Sequence, residues 1–151
     1  MKKIKLITFD LDDTLCDNVP TITRAEIDTR KWIENKVGKI EWGDFSDFLE
    51  LREILIKEDP IIEWDISKLR KEIFRKKLAH IEPLSLRNKL VEEAFSIFIN
   101  KRHEIELFDG VEDTLKILSK KYILGVLTNG NADVYKFKFG KYFNFAISSL
   151  E

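Results

Sequence analysis

The chain has 151 residues, 44% of them hydrophobic and 35% charged, which is enough apolar side chain for one real core, or a small core with an inserted subdomain, and excludes a disordered tail. Its 26 basic and 27 acidic residues leave a formal net charge of -1, so no positive field is present to gather nucleic acid. The N-terminal apolar run is too short for a signal peptide, no stretch approaches the roughly 18 apolar residues of a membrane span, and the lone Cys16 excludes an intrachain disulfide; together these predict a cytoplasmic protein that engages no membrane.

Residues 4–9 are β-branched and aromatic and end in aspartates, which reads as a buried strand delivering carboxylates at its C-terminal end. From Asn18 to about His103 apolar residues recur at helical spacing, and four helices are expected. The first starts near Pro20, capped by Asp17 or Asn18, and buries Ile22, Ala25, Ile33 and Val37 before Gly38 ends it. The second places Phe45, Phe48, Leu49, Arg52 and Ile56 on one face and closes at Asp59-Pro60. Asp65 caps the third, with Ile66, Leu69 and Ile73 inward, and the fourth follows Pro83 with Leu90, Val91, Ala94, Phe95 and Phe98 on one stripe. Trp32, Phe45, Phe48 and Trp64 are expected mostly as core, and the basic stretch from Lys68 to Lys77 as a solvated face. His80 and His103 lack zinc spacing.

After a turn at Asp109-Gly110, Val111, Leu115 and Leu118 mark an amphipathic helix. Residues 122–127 form a strand that runs into the turn cluster Thr128-Asn129-Gly130-Asn131, residues 132–139 a short helix, and residues 143–148 another strand. The order predicts an α/β fold with a Rossmann-like parallel sheet, right-handed crossovers and an α-helical insertion. Ligands of such sheets bind beyond the carboxyl ends of strands, where Asp10 and Thr128 both fall.

The run Phe9-Asp10-Leu11-Asp12-Asp13-Thr14-Leu15 carries the strongest chemical signal. Side-chain direction alternates in extended backbone, so Asp10 and Asp12 can face one pocket. Such a pair can divide phosphoryl transfer between a nucleophile and a proton carrier. Two carboxylates repel a phosphate, so a divalent cation is needed, and oxygen ligands suit magnesium. Taken alone, an acidic strand end can equally be a solvated turn, and Thr-Asn-Gly after a strand is more often a turn than a binding loop.

Asp10-Leu11-Asp12-Asp13-Thr14-Leu15 resembles the first motif of the haloacid dehalogenase superfamily, and Leu124 to Asn131 resembles its second, a strand ending in Thr or Ser. The resemblance implies a hydrolase in which Asp10 becomes an aspartyl phosphate and Asp12 is the general acid and base. Magnesium would be held by the Asp10 side chain and the Asp12 main-chain carbonyl. Thr14 would steady the loop, and Thr128, Asn129 and Gly130 would contact the phosphoryl oxygens of a small phosphorylated metabolite. It further implies a core at residues 1–17 and 104–151, residues 18–103 as a helical cap, and a monomer or weak dimer. Around Asp17-Asn18-Val19-Pro20, Glu58-Asp59-Pro60 and Thr128-Asn129-Gly130-Asn131 the chain looks like bacterial phosphatases of FMN and of the phosphorylated ribitylamino-uracil of riboflavin synthesis.

The family also implies a phosphate-gripping lysine and an acidic metal pair beyond the third strand, whereas Lys138 and Lys141 precede it. The expectation is therefore a C-terminally incomplete core, truncated after its third strand, with residues 4–9 on an exposed edge and turnover near background. Two alternatives remain at this point: a 2-haloacid dehalogenase, in which Asp12 would have no acid role, and a non-catalytic domain that keeps the fold.

Overall fold

The apolar run ahead of the first aspartate forms β1 (Leu6–Phe9), and the later apolar runs form β2 (Ile123–Leu127) and β3 (Phe145–Ile147). The computed structural model describes residues 3–148. Among them the strands make one three-stranded sheet in the order β1-β2-β3. Both pairings are parallel, with Leu6 opposite Ile123, Phe9 opposite Val126 and Gly125 opposite Phe145. Each strand is shorter than its apolar run, because Ile4, Tyr122 and Phe143 lie beyond the paired rungs. β2 is central and fully buries Leu124 and Val126; β1 stands at an edge of the described sheet with Leu6 exposed and Ile7 and Phe9 only partly buried, which corrects the expected buried strand, because only one side of it is paired.

By its contacts the chain divides into two compact units, residues 1–23 with 101–151, and residues 24–100. The first holds the sheet and α5 (Val111–Leu118) around a core of Leu11, Leu15, Leu115, Leu124, Val126 and a cluster of phenylalanines. Phe137 and Phe139 stack with centroids 5.0 Å apart, and Phe143 meets Phe139 edge-on at 6.4 Å.

That cluster corrects the expected helix over residues 132–139. Two short 3-10 turns stand there instead, Val134–Lys136 and Lys138–Tyr142. Side chains two apart on an α-helix diverge by about 200°, yet Phe137 and Phe139 are both buried in one core. Extended backbone at Phe137, φ -87° and ψ 149°, interrupts the turns and lets both rings point inward.

The second unit is helical. α2 (Phe45–Glu58) and α3 (Ile66–Lys77) lie wholly within it, whereas α1 (Asn18–Val37) and α4 (Leu84–Arg102) each run through its boundary. The Asp44 carboxylate accepts from Ser46 and Asp47 N–H to start α2, and Asp65 caps α3 by accepting from Lys68 N–H at 2.8 Å. α1 begins two residues before Pro20, with Asp17 Oδ1 accepting from Val19 N–H at 3.1 Å, so Asn18 is inside the helix. One apolar cluster surrounds Ile33, Phe74, Leu78 and Val91; another joins Leu55, Ile62, Leu69 and Ile73.

The face expected for α2 is corrected. Phe45 and Leu49 are 72% and 43% exposed, while the expected Phe48 and Ile56 do pack beside the cluster, together with buried Leu55 and with Leu51. The apolar residues of α2 spread over more than one face of the helix, so periodicity does not choose its inner face; Ile62, folded back by the 3-10 turn Pro60–Glu63, does. Trp32 and Phe48 pack against core clusters, and Trp64 is exposed. Five of the six basic residues of α3 meet carboxylates, Lys68 with Asp59, Arg70 with Glu26, Lys71 with Glu92, Arg75 with Glu72 and Lys76 with Glu58, and Lys77 donates to Glu41 O at 3.0 Å. No helix of the described residues is long and apolar enough to cross a membrane.

Gly125 marks a close approach between β2 and β3, since a Cβ there would run into the Phe145 ring. Gly125→Ala should cost about 1–3 kcal/mol through overpacking, read as a lower urea midpoint at unchanged slope. The cost should shrink in a Phe145→Ala background; an equal loss in both backgrounds would place the clash elsewhere.

Candidate active site at the carboxyl ends of β1 and β2

Phe9 pairs with Val126, two residues before Thr128, so the loops after β1 and β2 leave the same edge of the sheet. In the first loop the alternation expected from extended backbone is kept. Asp10 is exposed, Leu11 is fully buried in the core, and Asp12 is partly buried. The chain then turns sharply. Leu15 N–H donates to Leu11 O at 2.9 Å, and Asp13 N–H to Cys16 O at 2.8 Å. Asp13 has a positive φ of 58°, which an aspartate tolerates, and its Oδ1 accepts from Asn18 N–H at 2.9 Å. Thr14 is exposed, and its hydroxyl donates to Asp10 Oδ2 at 3.3 Å, which restrains that carboxylate from within the loop.

The second loop is equally fixed. Thr128 N–H donates to Ile147 O at 3.0 Å, and the Thr128 hydroxyl oxygen accepts from Gly130 N–H at 3.0 Å. The Gly130 N–H is thus directed at Thr128 Oγ1, while Asn129 is exposed. Thr128 and Asn131 border a cavity of about 310 Å³ shared with Asp133, Tyr135 and Ser148.

The two loops touch through Asp12. A Cβ built on Gly130 would fall 2.8 Å from Asp12 Oδ2, 3.2 Å from Thr128 Oγ1 and 3.7 Å from Arg102 Nη2. Asp12, Thr128 and Gly130 therefore converge, and Asp10 pairs with Thr14 alongside. Sequence reasoning missed Arg102. It lies in the last turn of α4, is 1% exposed, and donates from Nη2 to Asp12 Oδ1. A charged residue at the end of an amphipathic helix resembles any surface arginine, so only its burial reveals it. The next residue, which lacks zinc spacing, accepts at Nε2 from Asp133 N–H at 2.9 Å. That residue, His103, is an anchor for the second loop.

Among the described residues no cluster of three or more His, Cys, Asp or Glu side chains is assembled for a metal. The donors at hand are oxygens, the Asp10 carboxylate and main-chain carbonyls of its loop, and these suit a hard cation. Arg102 engages Oδ1 of Asp12, and the Asp12 main-chain carbonyl is a further oxygen on this loop.

Sheet order, loop placement and the Asp10-Leu11-Asp12 alternation agree with the fold of haloacid dehalogenase-like hydrolases. The chain belongs to the haloacid dehalogenase-like hydrolase family, whose model matches residues 4–150. It is 34% identical to the 5-amino-6-(5-phospho-D-ribitylamino)uracil phosphatase YigB of Escherichia coli K12 over 96% of this chain and 61% of that protein. It is also similar to the crystal structure of a 2-haloacid dehalogenase from Pseudomonas syringae pv. Tomato DC3000, with a TM-score of 0.89 and 38% identity over 97% of this chain and 64% of that one. The HAD-hydrolase YfnB of Bacillus subtilis, solved bound to magnesium, matches at a TM-score of 0.60 and 15% identity over 97% of this chain and 66% of its own, a likeness of fold alone. The chain thus spans 61% and 64% of the length of the first two relatives.

Two outcomes test this geometry. Gly130→Ala should push Asp12 and Thr128 apart, read as shifted backbone amides in both loops; an alanine variant with native spectra would mean the loops have room to spare. Cys16 is fully buried beside Asp12, and burial first, then the Asp12 charge, pushes its thiol from 9.0 to about 11. The folded state then keeps a proton that the unfolded state loses, so this contribution to stability is whole below pH 9 and fades as pH rises toward 11. Native Cys16 should resist iodoacetamide at pH 8 and react readily in denaturant, and rapid native alkylation would contradict the assignment.

Proposed function

We propose that these loops belong to a magnesium-dependent phosphomonoester hydrolase that works through an aspartyl phosphate. The observation that carries the reading is the placing of Asp12, one residue beyond the buried Leu11 from Asp10, against the Thr128–Gly130 turn. Asp10 attacks phosphorus as the bond to the leaving oxygen breaks, and Asp12 gives that oxygen a proton. Asp12 then takes a proton from the water that cleaves the aspartyl phosphate, which frees inorganic phosphate and restores Asp10. The Thr128 hydroxyl, its oxygen already accepting from Gly130, can turn its proton toward a phosphoryl oxygen. The Asp10 carboxylate and the Asp12 main-chain carbonyl would hold magnesium, which would supply positive charge to offset the carboxylates and the phosphate.

The substrate we infer is a small phosphorylated metabolite of flavin chemistry, FMN or a riboflavin-pathway intermediate, in a cytoplasmic setting. The 34% identity to YigB over 96% of the chain supports it. Residues 24–100, all-helical and inserted between the two motifs, serve as a cap that adds specificity contacts and keeps water out. A second reading, 2-haloacid dehalogenation, is favoured by the 38% identity to the Pseudomonas syringae structure. Asp12 weighs against it, because an alkyl ester formed on Asp10 needs no acid at that position.

The protein as its gene encodes it should release phosphate from FMN, from 5-amino-6-(5-phospho-D-ribitylamino)uracil or from p-nitrophenyl phosphate when magnesium is present, and no halide from 2-chloropropionate. Halide release without phosphate release would reverse the assignment. Asp10→Asn should abolish turnover and phosphoenzyme trapping, because an amide is a poor nucleophile. Asp12→Asn should lower turnover by about 10²–10⁴-fold, the usual worth of a positioned acid–base group, while sparing magnesium binding more than Asp10→Asn does. A phosphoenzyme trapped on the Asp10→Asn protein would remove Asp10 from its role.

A further inference from the structure

Arg102 is 1% exposed, and the guanidinium has two buried ends in different circumstances. Nη2 donates to Asp12 Oδ1, whereas among the described residues Nη1 is buried with no hydrogen-bond acceptor. A buried ion pair with an idle donor is a poor device for stability, because desolvation offsets most of the attraction and an apolar side chain of similar volume does as well or better. What the pair does instead is local. With Oδ1 held by Arg102, Asp12 Oδ2 is aimed at Gly130, where a Cβ would stand 2.8 Å from it and 3.7 Å from Arg102 Nη2. The same stretch of chain restrains the opposite loop, since His103 Nε2 accepts from Asp133 N–H at 2.9 Å. The final turn of α4 therefore leads into anchors on both loops of the site.

We propose that Arg102 is a positioning residue for the reaction: it fixes the side-chain direction of Asp12 so that Oδ2 is presented at the Thr128–Gly130 turn. It touches no reacting atom itself. The role rests on the reading of Asp12 as the proton-transfer group, and it predicts that removing the guanidinium loosens Asp12 without unfolding the sheet.

The test compares wild type, Arg102→Met and Arg102→Lys in the protein as its gene encodes it. Two readouts are taken: backbone amide spectra, and kcat and KM for p-nitrophenyl phosphate with magnesium. Arg102→Met should lower kcat by about 10–100-fold, the range for partners that orient a reacting or ligating group, with KM within about threefold of wild type. Arg102→Lys should recover part of kcat. Amides of Asp12 and Gly130 should shift or broaden while those of residues 24–100 hold. A native kcat in Arg102→Met overturns the proposal, and so does a loss that is equal in both variants and matches the unfolded fraction. If wild type hydrolyses no phosphomonoester, the phosphatase reading falls and the spectra decide: altered Asp12 and Gly130 amides support the positioning role, and unaltered ones overturn it. Should Arg102→Met fail to fold, Arg102→Gln, which keeps a donor and removes the charge, carries the same comparisons.

Discussion

Parallel strands cannot be joined by a tight turn, and that constraint shapes this chain more than any other. β1 and β2 are neighbours in the sheet, yet residues 10–122 lie between them in sequence. That connection must leave the C-terminal end of β1 and return to the N-terminal end of β2. The long crossover leaves the loops after both strands on one edge, which is where Asp10, Asp12, Thr128 and Gly130 come together. The constraint also explains why so large a helical segment fits between the motifs without disturbing them. Crossover length is thermodynamically cheap once both ends are held by the ladder.

The same edge concentrates charge. Asp10, Asp12 and Asp13 follow one another within four residues, and the fold answers with a buried arginine, a loop tied to itself by backbone hydrogen bonds, and a threonine on Asp10. Cys16, packed under this loop, shows how dry the underside is, since burial alone is the largest cause of its raised thiol. The arrangement spends stability on fixed directions of side chains, as is common where a carboxylate must meet a reacting group at a set angle.

Relatives of comparable identity carry names of two reactions, phosphate ester hydrolysis at 34% and haloacid dehalogenation at 38%. A shared fold does not by itself separate them. The proposed acid role of Asp12 would separate them. An oriented second carboxylate is useful where a leaving oxygen needs a proton and idle where a halide departs unaided.

Local signals in the sequence determined a good deal. The β-branched run before Asp10, the Asp65 cap, the stripe on α4 and the Asp109-Gly110 turn each act over a few residues, so their structure could be read directly from spacing and residue type. The alternation at Asp10-Leu11-Asp12 likewise follows from backbone geometry alone. Three features escaped. The apolar residues of α2 spread over more than one face, and the buried face was chosen by Ile62 and Leu69 from elsewhere in the chain. The stretch after Asn131 has helical composition, but two phenylalanines needed in one core broke it into 3-10 turns. Arg102 looked like any helix-end cation, and only the sheet pairing, by bringing the loop of Asp12 to the end of α4 across ninety residues, made it a buried partner of Asp12. Short-range chemistry is written along the chain, whereas burial is a property of what arrives from far away.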